Sequence, residues 1–88
     1  MLESKVEVIN NAGLHARAAS KLASVSSRFT STIKIGQEKM VDGKSILSLM
    51  MLAATKGSIL TVQADGIDEK VAMQAIISLI NDRFGEAE

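Results

Sequence analysis

The chain has 88 residues, ten basic and ten acidic side chains and no formal net charge at pH 7. This length allows one hydrophobic core, and the charge balance offers no overall field that would attract nucleic acid or an anionic membrane. The absence of cysteine and the single histidine exclude disulfides and the common zinc sites, and two phenylalanines as the only aromatic residues disfavour nucleic-acid stacking.

The first residues and the apolar runs of the sequence bear on the cellular location of the protein. The first residues, Met1–Lys5, contain no basic segment followed by an apolar one, and the longest nearly apolar run, Ile46–Ala54, is too short to cross a bilayer. We therefore expect a cytoplasmic protein without membrane insertion, and a single domain over residues 1–88.

The first half of the chain predicts a strand, a helix and a hairpin. Alternating side chains predict the first strand over residues 2–9, and the Asn and Gly residues of 10–13 are typical of a turn. Apolar residues at helical spacing predict the first helix over 16–28. Two short alternating segments, 32–35 and 39–41, then predict a hairpin.

The second half predicts two helices around one strand. Ser45 stands at an N-cap position before the apolar segment 46–54, which we interpret as the second helix. Residues 58–64 alternate as a fourth strand. A last helix is predicted over 68–84, capped by the aspartate at its start or a neighbouring residue. Residues 86–88 follow a terminating glycine, and we expect them to fray.

The resulting order of elements is β-α-β-β-α-β-α. Such an order, with a hairpin in the middle, predicts an α+β open-faced β-sandwich with a four-stranded antiparallel sheet and three helices on one face. This architecture hosts many functions and proves none of them.

The only histidine lies where the first helix is predicted to begin. Unpaired backbone N–H groups and the positive end of the helix dipole favour an anion there, and Arg17 adds a cation that suits phosphate. A nitrogen nucleophile beside an anion-binding helix end suggests that His15 is phosphorylated. The residues from Gly13 to Arg17 alone leave open a second interpretation, in which His15 is simply tolerated near a helix end.

The second helix contains more large hydrophobic residues than one buried face can hold. Some of its Ile, Leu and Met side chains are therefore expected to be exposed, either as a docking surface for a partner or in a loosely packed core helix. Ser45, at its N-cap, is also a position where phosphorylation is physically allowed.

Two segments of the sequence resemble the signatures of a known family. The segment Gly13-Leu14-His15-Ala16-Arg17, with Ala19, resembles the active-site signature of HPr, the histidine-containing phosphocarrier family of the bacterial phosphoenolpyruvate:sugar phosphotransferase system. The segment 43–53 resembles the family's second signature, around a regulatory serine. The match is collinear over the domain and has the same order of elements.

The resemblance implies a function for the first segment. His15 would accept a phosphoryl group on Nδ1 from phosphorylated Enzyme I and pass it to IIA domains for sugar uptake or regulation. Arg17 would neutralise phosphate charge, and the backbone N–H groups of Ala16, Arg17 and Ala18 would hold the phosphate oxygens. No cofactor or metal is expected, and the protein would be a phosphoryl-transfer component with a phosphohistidine intermediate, not a turnover enzyme by itself.

The resemblance also implies a docking surface and a regulatory site. Ser45 aligns with the serine that an HPr kinase/phosphorylase modifies, and a regulator is a further implied partner. We expect a monomer. The residues predicted to dock Enzyme I and other partners are Ile46, Leu47, Met50, Met51 and Lys21.

One departure from the family pattern concerns the residue after Arg17. The family usually has proline where this chain has Ala18, which restores a backbone donor and loosens the turn. The branch, sugar-transport HPr or the nitrogen-related paralogue NPr, stays open. A regulatory binding module controlled by Ser45 is the alternative function, and a small-molecule or RNA-binding domain is disfavoured by the charge balance and the few aromatic residues.

Overall fold

The computed structural model describes all 88 residues, and the predicted order of elements is confirmed. No helix combines the length and the apolar character needed to cross a membrane. The strands are β1 Leu2–Glu7, β2 Thr32–Gly36, β3 Met40–Asp42 and β4 Ile59–Asp65. The helices are α1 Ala16–Ser26, α2 Ile46–Met51 and α3 Glu69–Asn81, followed by a 3-10 turn, Arg83–Gly85.

The four strands form one antiparallel sheet in the order β1-β4-β2-β3. Val62 of β4 lies opposite Ser4 of β1 on one side and Ile35 of β2 on the other. Because side chains alternate along a strand, one face of the sheet collects the apolar residues and packs against the helices. The α+β open-faced sandwich is confirmed. The largest fully buried apolar side chains of the core are Val8, Leu22, Ile33, Ile35, Leu49, Leu60, Val62, Ile76, Ile80 and Phe84.

Helix α2 is shorter than predicted, ending at Met51 instead of Ala54. Ala53 adopts a left-handed backbone conformation, with φ of 52°, and turns the chain out of the helix. Ala54 is then buried, and its carbonyl accepts a hydrogen bond of 2.9 Å from the backbone N–H of Leu14. The hydrogen bond between Leu14 and Ala54 therefore takes the place of a further turn of α2.

Helix α3 also ends before its predicted limit, at Asn81. Arg83 and Phe84 adopt left-handed conformations, with φ of 56° and 54°, and the Phe84 side chain is fully buried in the core. The ammonium of Lys21 donates a hydrogen bond of 2.8 Å to the Phe84 carbonyl. Burial of one large aromatic side chain repays the cost of the unusual backbone.

Asp68 lies at the N-cap of α3 but makes no side-chain capping bond. Its carboxylate instead accepts hydrogen bonds from the backbone N–H groups of Thr30 and Ser31, each at 2.9 Å, and from the Ser31 hydroxyl. The Ser31 hydroxyl, followed by the Thr30 N–H, lowers the pKa of Asp68 from 3.8 to about 2. The neighbouring Glu69 accepts a bond of 3.1 Å from the Gly66 N–H. Asp68 thus joins the start of α3 to the segment that directly precedes β2.

Candidate functional site

His15 is the N-cap residue of α1, as the sequence predicts. Its backbone is extended, with φ of −81° and ψ of −178°, and its carbonyl accepts the first helical bond, 2.8 Å from the Ala19 N–H. The imidazole turns back over the helix end, so that Nδ1 accepts a hydrogen bond of 3.3 Å from the Arg17 N–H. The ring nitrogen Nδ1 therefore faces the positive end of the helix dipole.

The first turn of α1 offers backbone donors beside that nitrogen. The N–H groups of Ala16 and Ala18 have no acceptor within the protein; Ala16 is exposed, whereas Ala18 is fully buried. Helix N-termini with free N–H groups bind phosphate and other oxyanions. A group carried on Nδ1 of His15 would lie next to these donors.

The loop that carries His15 is anchored by close packing. Gly13 has a φ of 68°, and a Cβ built on it would lie 2.5 Å from the carbonyl oxygen of Ala54. Only glycine combines this backbone with such an approach. Together with the Leu14–Ala54 hydrogen bond, this contact holds the loop against the segment that follows α2.

The second ring nitrogen of His15 contacts a residue that the sequence did not single out. Nε2 is in hydrogen-bond contact with the carboxylate of Glu86, which is 16% exposed, and the Asn10 Nδ2 donates a bond of 2.9 Å to the other oxygen of Glu86. These bonds from Asn10 and then His15 lower the pKa of the Glu86 carboxyl below its ordinary value. The expectation of a frayed segment at 86–88 was therefore wrong.

Other contacts hold the same segment in place. The Asn11 N–H donates to the Glu88 carbonyl, and Lys56 donates a bond of 2.9 Å to the Asn11 side-chain carbonyl. Lys21, predicted as a docking residue, is exposed, and its ammonium donates to the carbonyl of Phe84, two positions before Glu86. The polar contacts of the chain after α3 are thus made with the loop before α1 and with α1 itself.

Arg17 is the exposed cation of the site. It lies with His15 and Glu86 at one shallow surface depression, and its guanidinium forms no ion pair or hydrogen bond within the protein. An unpaired guanidinium is available for a bidentate contact with phosphate or carboxylate. The structure holds no group of three or more histidine or carboxylate side chains arranged for a metal ion.

Helix α2 displays the exposed apolar side chains that its composition predicts. Ser45 caps the helix, its hydroxyl accepting a bond of 3.2 Å from the Ser48 N–H, while Leu49 is fully buried in the core. We call the outward side chains of this helix the α2 surface. Its residues are Ile46, 45% exposed, Leu47, 70%, Met50, 40%, and Met51, 76%.

Comparison with known proteins agrees with this geometry. The family model described as PTS HPr component phosphorylation site matches residues 2–82. The chain belongs to the HPr family. It is 47% identical over 89 residues to the phosphocarrier protein HPr of Neisseria meningitidis serogroup A, covering 100% of both chains. It is 42% identical over 87 residues to the phosphocarrier protein NPr of Shewanella violacea, covering 98% of this chain and 96% of that protein.

A solved structure of the family supports the same assignment. The fold matches the crystal structure of HPr-C-His from Thermoanaerobacter tengcongensis with a TM-score of 0.95, at 37% identity and with both chains fully covered. The resemblance of the two sequence segments to HPr signatures is thereby confirmed. The protein is a phosphocarrier-family component of the phosphotransferase system.

Within this HPr-family chain, the structure brings together the site residues predicted around His15 and adds one residue to that site. His15, Arg17 and the backbone of Ala16 and Ala18 lie at one helix end, as expected. The sequence missed Glu86, which contacts the histidine ring. No local signal could have indicated it, since the two residues are 71 positions apart and a glutamate after a helix is a common residue.

Proposed function

We propose that this protein carries a phosphoryl group on Nδ1 of His15, accepted from phosphorylated Enzyme I and passed to a IIA domain for sugar uptake or regulation. The observation that carries the proposal is the placement of Nδ1 at the N-terminus of α1. A neutral nitrogen with free backbone donors beside it suits reversible binding of a phosphoryl group.

The transfer step follows from the groups around the ring. The lone pair of Nδ1 forms a bond to phosphorus while the bond between phosphorus and the donor breaks, and the donor retains that bonding pair. The N–H groups of Ala16, Arg17 and Ala18 are the candidate donors to the phosphoryl oxygens, and the free guanidinium of Arg17 would offset their charge. Ala18 supplies a donor that a proline at this position would lack.

Partner docking is proposed for the α2 surface. Its exposed Leu and Met side chains suit an apolar interface that accommodates several partners in turn. The Leu14–Ala54 bond holds the loop before His15 beside the end of α2, so one partner could cover both. Phosphorylation of Ser45 by an HPr kinase/phosphorylase would add charge at the edge of this surface, as a regulatory step. In this proposal the protein acts as a cytoplasmic monomer. Lys21 belongs to the docking surface, and its ammonium also binds the Phe84 carbonyl.

The alternative function, a binding module controlled only through Ser45, is not favoured. Such a module requires no nucleophile, whereas this chain holds its only histidine at a helix end where the N–H groups of Ala16 and Ala18 have no acceptor within the protein. The same histidine is also oriented by contacts at both ring nitrogens.

The test is phosphorylation with purified Enzyme I and phosphoenolpyruvate, followed by intact-mass measurement before and after acid treatment. We expect one acid-labile phosphoryl group in the wild-type chain and none in His15→Ala, with the fold of the variant verified by its amide NMR spectrum. An acid-stable product, or labelling that persists in His15→Ala, would contradict the proposal. Addition of a IIA domain should then remove the group from the wild-type protein.

A further inference from the structure

We infer that Glu86 is a positioning residue for His15, selecting the imidazole tautomer in which Nε2 carries the proton and Nδ1 keeps a free lone pair. This inference rests on the proposed function and adds to it a residue outside both signature segments. Glu86 would act through the ring and touch neither the phosphoryl group nor the partner.

The two ring nitrogens of His15 face groups of opposite character. Nδ1 faces the Arg17 N–H, which can only donate, at 3.3 Å. Nε2 faces an oxygen of Glu86, which can only accept when the carboxyl is ionised. A neutral imidazole has one N–H, so both neighbours are satisfied by the same tautomer, with the proton on Nε2. That tautomer leaves Nδ1 as the nucleophile.

The charge produced by transfer also falls beside Glu86. When Nδ1 bonds to phosphorus and the bond to the donor breaks, Nε2 keeps its proton and the ring becomes cationic. A carboxylate bonded to that N–H stabilises the imidazolium as the aspartate of a serine-protease triad does. When the phosphoryl group leaves for the next acceptor, Nδ1 regains its lone pair and the ring returns to the same tautomer.

Asn10 determines which polar atom of the side chain at position 86 faces it, and so which atom faces His15. Asn10 is fully buried, and its Nδ2 donates to the carbonyl of Gly13 and to Glu86 Oε1, both at 2.9 Å. Rotating the Asn10 amide would place its oxygen against two acceptors, so its donor side is held toward Glu86.

Because of this arrangement, Glu86→Gln should reverse the tautomer of His15. The glutamine oxygen must accept from Asn10, which turns the glutamine NH₂ toward His15 Nε2. That nitrogen would then have to accept, and the proton would move to Nδ1, where it removes the lone pair. Glu86→Ala removes the acceptor without imposing a donor, so its effect should be smaller.

The experiment combines tautomer and rate measurements on four chains: wild type, Glu86→Gln, Glu86→Ala, and the control Glu7→Gln, which removes one exposed carboxylate from β1. Long-range ¹H–¹⁵N NMR spectra at about pH 8 report the His15 tautomer without any partner. Phosphorylation by Enzyme I gives the rate. We expect mainly Nε2–H in wild type and Glu7→Gln, mainly Nδ1–H in Glu86→Gln, and a rate for Glu86→Gln at least about tenfold below wild type.

The two readouts separate the possible failures. An Nε2–H tautomer in Glu86→Gln, a wild-type rate in that variant, or a slower rate for Glu86→Ala than for Glu86→Gln would each overturn the positioning role. If Glu86→Gln did not fold, a wild-type rate in Glu86→Ala would overturn it. A wild-type chain that is not phosphorylated would instead overturn the proposed function, and with it a role for Glu86 in transfer, whatever the tautomer.

Discussion

The side chains of Asn10 and Glu86, 76 positions apart in the sequence, are joined by a hydrogen bond of 2.9 Å. This bond connects the turn after β1 to the segment after α3, and it places a carboxylate against the ring of His15. The environment of the histidine is therefore built from both ends of the chain. The helix end supplies donors on one side of the ring, and the distant segment supplies an acceptor on the other.

Arg17→Ala is expected to slow phosphoryl transfer while leaving the fold stable. The guanidinium is exposed and pairs with no group in the protein, so its loss removes charge from the phosphate site and no internal contact. We expect a decrease of roughly 10- to 100-fold in the rate of phosphorylation by Enzyme I. Thermal unfolding should change little. Arg17→Lys keeps the charge but not the planar fork, so its rate of phosphorylation should lie between those of wild type and Arg17→Ala. An unchanged rate in Arg17→Ala would contradict this role.

Leu47→Asp is expected to weaken binding of Enzyme I by placing a charge in the α2 surface. Leu47 is 70% exposed, so the substitution costs the fold little. A charge buried without a partner in an apolar interface should lower the affinity at least about tenfold. Calorimetric titration with Enzyme I measures the effect.

The matched control for that variant is Ile67→Asp. Ile67 is 96% exposed and follows β4, at the end of the sheet opposite to the loop that carries His15. It should leave the affinity for Enzyme I unchanged. Equal weakening by the two variants would mean that the α2 surface has no special part in docking.

Two substitutions at Ser45 are expected to separate its role as the cap of α2 from the effect of a negative charge on the binding of Enzyme I. Ser45→Ala loses the acceptor for the Ser48 N–H and should lower the free energy of unfolding by about 1 kcal/mol, with the affinity for Enzyme I nearly unchanged. Ser45→Asp keeps a good N-cap side chain but adds a negative charge beside the α2 surface. Its stability should stay near that of wild type while its affinity falls. Wild-type affinity in Ser45→Asp would place Ser45 outside the interface.

Asp68→Asn is expected to lower stability in a pH-dependent way. The pKa of Asp68 in the folded state is lowered to about 2 by the Ser31 hydroxyl and the Thr30 N–H, whereas an unfolded aspartate has a pKa near 3.8. A carboxyl with a depressed folded pKa stabilises the fold fully above its unfolded pKa, and this contribution is lost as the pH falls toward the folded value. Denaturant unfolding should therefore show a difference between wild type and variant at pH 6 that shrinks from about pH 4 to about pH 2. A difference independent of pH would contradict this assignment.

The order of elements and the centre of the site could be predicted because their signals are local. His15 and Arg17 lie within one turn of a predicted helix start, and the Ser45 cap precedes an apolar segment directly. The exposure of the α2 surface followed from counting apolar residues against the one face that a short helix can bury. Each of these signals needs only residues within a few positions of each other.

The helix ends were less predictable because core packing decided them. Ala54 ends an apolar segment, and Phe84 follows Ile80 at helical spacing, so that both favour a continued helix, yet the chain leaves the helix before each of them. Burying Phe84 required left-handed backbone at Arg83 and at Phe84 itself. Local propensity contains no information about which core position is still empty.

The sequence by itself determined the α+β fold, the HPr-like signatures and the helix end that presents His15, since these follow from periodicity and from neighbouring residues. Only the tertiary structure decided that Glu86 contacts the histidine, that Lys21 binds the Phe84 carbonyl, and that Asp68 ties α3 to the segment before β2. The physical reason is shared by all three. A single charged side chain has no periodic signal, and its partner, 37 to 71 positions away, is chosen by how the helices pack on the sheet.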